Sequence, residues 1–287
     1  MLLVGEAESG QKLLQYLQRR FPNVPQSALM RLIRTGQVRV DGGRPKPFQR
    51  LATGQTVRIP PRLQNETAQD FPAPDAGPAL EVVHETDDVL VVAKPAGLPA
   101  HGGEGHADSA VARVRAMRPG PFAATPVHRL DKSTSGLLVF AKSYKAMREL
   151  QEAFKSGAAD KRYLAWAAGR WLHDGPVELR DILFSDGPPG RQLVRTAPEG
   201  ASGREALCVV SPVRREERAS LLEVRLITGR KHQIRVQLAS RGHPVVGDRK
   251  YGGPSCPQGL LLHAWRITLP GGVRLRLAPD WRDPFKP

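Results

Sequence analysis

Hydrophobic positions follow two different rhythms along this chain, and the rhythm changes after roughly the first sixty residues. Leu13, Leu14, Leu17 and Phe21 recur at helical spacing and predict a first helix. Ala28, Leu29, Leu32 and Ile33 predict a second, with Gly36 placed to stop it. Val38 and Val40, then Val57 and Ile59, alternate with arginines as strand residues do, while Asp41-Gly42-Gly43 supplies a turn and Pro60-Pro61 closes the unit. Residues 1–62 therefore read as a small αα-β module. Over residues 63–79 the periodicity is lost, and Pro72, Pro74, Gly77 and Pro78 mark a linker stiffened by its prolines. Beyond it, residues 80–287 are rich in strands, predicted at 80–84, 89–93, 137–142, 163–168, 206–210, 221–227 and 261–269. Helical spacing returns only at 109–117, at 144–155 (Met147, Leu150 and Phe154 on one side) and at 233–240. Runs of strands with few helices predict an α+β domain on a mixed or antiparallel sheet.

Charge narrows the class of partner. The 287 residues carry 43 Lys and Arg against 28 Asp and Glu, a formal net charge of +15. Eleven of the cations and only three of the acids fall in residues 1–62. Such an excess calls for a polyanion, and nucleic acid is the first expectation. The longest apolar runs, at 89–93 and 260–262, are far shorter than the ~18–20 residues of a membrane span. The N-terminus has no basic stretch before Glu6 and Glu8, so no secretory signal is expected. Cys208 and Cys256, 48 positions apart, suggest neither a disulfide framework nor a cysteine zinc site. A cytoplasmic protein, acting as a monomer and free of metal, is the expectation.

The densest polar cluster of the strand-rich region is His128-Arg129-Leu130-Asp131-Lys132-Ser133-Thr134-Ser135-Gly136-Leu137. An acid between Arg129 and Lys132 stays ionised. Taken alone, the cluster also suits a salt-bridged turn before a strand. However, H-R-L-D-x-x-T-S-G-L resembles the signature of the RluA-type pseudouridine synthases, and the resemblance implies that Asp131 is the catalytic carboxylate. Three further segments follow in that family's order. Lys161-Arg162-Tyr163-Leu164-Ala165 resembles its K-x-Y-x-A strand, which implies that Tyr163 packs on the target base. Thr228-Gly229-Arg230-Lys231-His232-Gln233-Ile234-Arg235, with Gly242-His243-Pro244, Gly247-Asp248 and Tyr251-Gly252, resembles its third motif, which implies a buried Arg235 paired to Asp131. Lys94-Pro95-x-Gly97 and His101-Gly102-Gly103 resemble the opening motif. In the N-terminal module, the two helices followed by Gly36-x-Val38-x-Val40-Asp41-Gly42 resemble the RNA-binding domain named for ribosomal protein S four. Lys12-Leu13-Leu14 stands where that domain commonly has Arg-Leu-Asp.

The resemblance implies conversion of uridine to pseudouridine in structured RNA, with ribosomal RNA of the large subunit as the expected substrate. That reaction breaks the C1′–N1 bond, turns the uracil and rejoins it through C5, so no cofactor is expected. A carboxylate near C1′ can serve as covalent partner, base or electrostatic stabiliser. Arg129 is expected to fill the gap left by a flipped base, His128 to support the loop beside it, and Lys94 either to line the pocket or to lie on the surface. Arg230, Arg31, Arg34 and Arg39 complete the expected RNA contacts. Ser133, Thr134 and Ser135 are expected to cap the turn, since no G-x-S-x-G elbow surrounds them. Three rivals remain: a transfer-RNA pseudouridine synthase, a hydrolase using Asp131, and a non-catalytic RNA-binding or ribosome-assembly protein. A second carboxylate about 5–10 Å from Asp131 would favour hydrolysis, and a filled pocket would favour binding alone.

Overall fold

A computed structural model describes residues 1–22, 24–61, 63, 77–102, 108–120, 122–187, 193–198 and 202–287. Most of the expected linker, Arg62 and Gly103 lie outside the described residues.

Helices α1 (Leu13–Arg20) and α2 (Gln26–Arg34) pack on a small antiparallel sheet of β1 (Leu2–Leu3), β2 (Arg39–Val40) and β3 (Thr56–Arg58), ordered β1-β3-β2. Leu13, Leu17, Leu29, Leu32, Ile33 and Val57 are fully buried and make a core of their own. At the end of α2, Gly36 takes φ 74°, and the Gln37 N–H returns to the Leu32 carbonyl at 3.0 Å. Few residues other than glycine tolerate that turn. Several of the module's cations are used within the protein. Arg20 bonds both oxygens of the buried Glu8, at 2.8 and 2.9 Å. Arg19 reaches into the second unit, donating to Thr125 Oγ1 at 2.8 Å and lying 4.5 Å over the Phe122 ring.

The second unit consists of β4 (Val82–Glu85), β5 (Val89–Lys94), α3 (Ala110–Met117), β6 (Thr125–Pro126), β7 (Ser135–Ala141), α4 (Tyr144–Ser156) and β8 (Asp160–Ala168). It continues with β9 (Val177–Asp186), β10 (Leu193–Thr196), β11 (Arg204–Arg215), β12 (Ala219–Leu226), α5 (Gln233–Ala239), β13 (Leu262–Thr268) and β14 (Arg274–Arg276). Among the described residues the strands form one sheet ordered β10-β9-β11-β12-β8-β13-β7-β5-β4, with β14 beside β13 and β6 beside β7. All pairs are antiparallel except β7 with β13. The α+β class expected from the strand-rich pattern is the one observed.

That parallel pair explains a glycine of the polar cluster. Gly136 has φ 114°, and a Cβ there would overlap the Ala264 backbone on β13. Only glycine lets β7 approach so closely at its first turn out of the Asp131 loop. The hairpin β9–β10 is absent from the sequence expectation. Along β9 the buried Leu179 and Leu183 are interleaved with Glu178, Arg180 and Asp181, which breaks the apolar run used to find the central strands.

Candidate active site

Asp131 lies in the loop between β6 and β7, and both ends of that loop are tied down. At one end the Val139 N–H donates to His128 Nε2 at 3.1 Å, which requires that nitrogen to be unprotonated. Burial and nearby Lys161 push the His128 pKa far down, to about 3, so the ring stays neutral. Past Asp131, the Lys132 carbonyl accepts from the Gly97 N–H at 2.9 Å and from Lys94 Nζ at 3.2 Å. Lys94 also donates to the carbonyls of Pro95 and Leu98, both at 2.8 Å. It is 1 % exposed, so it is not a surface lysine; it braces the Asp131 loop at the Lys132 carbonyl and is close enough to feel the Asp131 charge. Its three carbonyl acceptors replace water around the ammonium, while burial draws its pKa down to about 8. Ser135, expected to cap the turn, instead bonds His263 Nδ1 across to β13 at 2.8 Å.

Arg235 comes from the middle of α5. Its Nε and Nη2 grip the two oxygens of Asp248 at 2.6 and 2.8 Å, and both side chains are buried. The remaining Nη1 stands 3.6 Å from Asp131 Oδ2. The expected pairing of Arg235 with Asp131 is present as an ion pair through the outer nitrogen, while the planar fork of the guanidinium binds Asp248. Asp248 is a second carboxylate that the Asp131 loop itself does not supply. Its Oδ1 also accepts from the Lys250 and Tyr251 N–H groups at 3.1 and 3.3 Å, so it is held as an acceptor and is not placed to act as a proton donor.

Tyr163, on β8, is 5 % exposed and lines the same cavity as Asp131. Burial, reinforced by the Asp131 charge, pushes its pKa well above the usual phenol range and keeps the hydroxyl protonated. The cavity has a volume of about 280 Å³. Tyr163, Ile234, Leu262 and Phe154 give it flat and apolar walls, and Asp131 and Arg235 give it a charged end. A wider cleft of about 1260 Å³ adjoins it, and Arg129, Asp131, His232 and Arg235 line both. The Asp131 side chain, 16 % exposed, thus sits where an inner chamber meets an outer groove.

The exposed Arg129 stands at that junction. Arg230 is exposed at the mouth of the inner chamber, with Nε on the Glu205 carbonyl at 2.8 Å. Arg31 and Arg34 are exposed on α2, and Arg39 donates to the Gly36 carbonyl at 3.0 Å, so these three belong to the N-terminal module rather than to the cavity. The sequence reading assigns no role to His232, Asp248 or Tyr251, although all three stand inside the third motif. Their part lies in contacts between loops far apart in sequence, which spacing does not reveal. Lys161 is another omission: it lines the chamber and lies 4.7 Å over the Phe154 ring.

Residues 88–240 match the family model described as RNA pseudouridylate synthase. The chain is similar to the ribosomal large subunit pseudouridine synthase C of Haemophilus influenzae, with 36% identity over 260 residues, 88% of this chain and 79% of that one. It resembles the protein of the same name from Escherichia coli strain K12 at 37% identity, covering 85% of this chain and 77% of the other. Among solved structures, human RNA pseudouridylate synthase domain containing 1 shares the fold with a TM-score of 0.58 at 24% identity, over 74% of this chain and 86% of that one. A polar loop with a carboxylate at the mouth of an apolar chamber, a family match over more than half the sequence and relatives aligned along most of it lead to one conclusion: the chain belongs to the RNA pseudouridylate synthase family.

Proposed function

We propose that the protein isomerises uridine in large-subunit ribosomal RNA, with Asp131 as the catalytic carboxylate. The observation that carries this reading is the place of Asp131, at the join of a base-sized apolar chamber and a wider groove, with Tyr163 and Arg235 at its sides. A target uridine leaves its stack, at a cost of a few kcal/mol, and its uracil enters the chamber against the Tyr163 ring. The ribose then lies at the Asp131 carboxylate and the phosphates lie in the outer groove. Arg129 fills the space the base has left.

Breaking C1′–N1 develops positive charge on the sugar, which the Asp131 carboxylate stabilises or captures. The uracil turns, C1′ bonds to C5, and the proton that leaves C5 is balanced by one gained at N1, so atoms balance without added water. The Tyr163 hydroxyl, kept protonated by burial, relays that proton. Arg235 aims the carboxylate and is itself braced by Asp248. Hydrolysis is disfavoured because Asp248 is committed to Arg235 and two backbone N–H groups, so among the described residues lining the two cavities no free acid remains to protonate a leaving group or direct water. Large-subunit ribosomal RNA is favoured as substrate over transfer RNA by the curated relatives' names. The N-terminal module supplies affinity through exposed cations such as Arg31 and Arg34. Both cysteines are buried and unpaired, which suits a reducing cytoplasm.

The test is Asp131→Asn assayed on ribosomal RNA. Pseudouridine formation is expected to fall by roughly 10⁴-fold or more, while RNA affinity stays within about twofold because it rests on phosphate contacts. Full activity in this variant rules the reading out.

A further inference from the structure

His232 is the residue of the chamber whose local structure is hardest to explain by packing alone. It precedes α5 with φ 54°, in the left-handed region that few side chains adopt, histidine with asparagine and aspartate more often than the rest. Among the described residues only Asp41, in a turn, shares that feature. Strain of this kind persists where the surroundings hold it, and it collects at functional sites. What the strained backbone achieves here is a ring aimed at the catalytic loop: His232 Nε2 stands 3.9 Å from Asp131 Oδ2, the same oxygen that Arg235 faces.

The opposite side of the ring fixes which nitrogen carries the proton. His232 Nδ1 lies 2.7 Å from Tyr251 Oη, and that hydroxyl accepts the Val194 N–H of β10 at 3.3 Å. With the amide on one lone pair, the arrangement that uses the hydroxyl proton of Tyr251 directs it to Nδ1, and this is the tautomer the proposal takes. Nδ1 is then the acceptor and Nε2 bears the hydrogen that points at Asp131. Tyr251 is itself held by Arg235, whose guanidinium lies 5.1 Å over its ring. The groups that face His232 are Asp131, Arg235, Lys231 and Lys250, and burial outweighs the attraction of Asp131, drawing its pKa down to about 4. A neutral donor suits the position. Arg235 already gives the carboxylate one full charge, and a second cation would weaken it as base or nucleophile, whereas an uncharged N–H orients the oxygen without that cost.

We propose that His232 is a positioning residue for Asp131: held in one tautomer by Tyr251, it donates Nε2–H to Oδ2 once RNA closes the site, so that Oδ1 faces the ribose. The gap of 3.9 Å in the free protein closes on binding, as catalytic hydrogen bonds commonly do. This inference rests on the reading of Asp131 as the catalytic carboxylate.

Three variants of the 287-residue chain test it. His232→Ala and His232→Gln face the same backbone strain, but only glutamine places an amide N–H near the position of Nε2. Single-turnover pseudouridine formation at saturating RNA is expected to fall about 100-fold in His232→Ala, with RNA affinity unchanged, and glutamine is expected to recover most of the loss. Tyr251→Phe, which keeps the ring and frees the tautomer, is expected to lose about 10-fold in the same rate. In the unmodified protein, nitrogen-15 NMR of labelled histidine is expected to show Nδ1 of His232 as the unprotonated nitrogen. A proton on Nδ1, or His232→Ala and Tyr251→Phe variants as fast as the parent, overturns the inference and leaves the catalytic role of Asp131 standing. If His232→Ala does not fold, the NMR tautomer and Tyr251→Phe decide. An active Asp131→Asn variant would instead remove the reading beneath it.

Discussion

In the N-terminal module Arg31 and Arg34 stand exposed on α2, whereas beside the chamber Arg235 is buried and bound through two nitrogens to Asp248. The same residue type does different work in the two places. Exposed cations are screened by salt and hold no fixed geometry, so they add affinity for any polyanion. A buried guanidinium with a bidentate partner adds little affinity but fixes direction to within a fraction of an ångström. Under the proposed function, holding RNA and acting on it fall to separate regions, and each can be disturbed without the other.

The largest effect is expected at Arg235. Arg235→Met leaves Asp248 buried without its counter-charge, and the protein is expected to lose about 3–5 kcal/mol of stability together with nearly all activity. Denaturant unfolding and pseudouridine mapping check the two parts. A variant as stable as the parent would mean that the pair with Asp248 does not brace the site. Next in size is Tyr163→Phe, which keeps the ring against the base and removes the hydroxyl. Its single-turnover rate is expected to drop about 100-fold with RNA affinity unchanged, and an unchanged rate would leave the ring with stacking alone.

The other side of the comparison is probed by Arg31→Gln with Arg34→Gln. RNA affinity is expected to fall about 10-fold at moderate salt, and the slope of log affinity against log salt is expected to become shallower by between about one and two. The rate at saturating RNA should not move. A steep slope that survives the double substitution would locate the phosphate contacts elsewhere.

The remaining contrast concerns acid. Residues 1–62 contain no histidine, whereas His128, His232 and His263 lie in the second unit, with pKa values drawn down by burial to about 3, 4 and 4. Below the ordinary value of about 6.5 the unfolded chain takes up protons that the folded one refuses. The stability of the second unit is therefore full above that pH and is lost progressively as pH falls from about 6.5 toward 4. All four tryptophans, Trp166, Trp171, Trp265 and Trp281, lie in this unit and report its unfolding. Amide exchange of α1 and α2 should change less over the same range. Equal loss in both regions would contradict the division.

The two regions also differ in how much of them the sequence discloses. Helices α1, α2, α3, α4 and α5 and the central strands β5, β7, β8, β12 and β13 carry unbroken or regularly spaced apolar residues, because they are buried on at least one face. Hairpin β9–β10 escapes because charged residues on its outer face interrupt the pattern, and β1 and β14 are too short to show any period. At the site, Asp131, Tyr163 and Arg235 are legible because each stands in a dense motif. The second partner of Arg235 is not, since Asp248 is brought to it by a turn whose path depends on Gly247, where φ is 82° and a Cβ would overlap the Gly259 backbone. The burial of Lys94 is hidden from the sequence for a similar reason: it depends on three carbonyls from two separate loops. Contacts within a motif are readable from spacing, but contacts between motifs need the fold.

The central claim is that a flipped uridine places its base in the chamber and its ribose at residue 131. A crystal structure of Asp131→Asn bound to a substrate ribosomal RNA fragment tests it most directly. The uracil is expected between Tyr163 and Ile234, with the residue 131 side chain about 3–3.5 Å from C1′ or C2′. A bound RNA whose target uridine remains stacked, with the chamber empty and residue 131 far from any sugar, would contradict it.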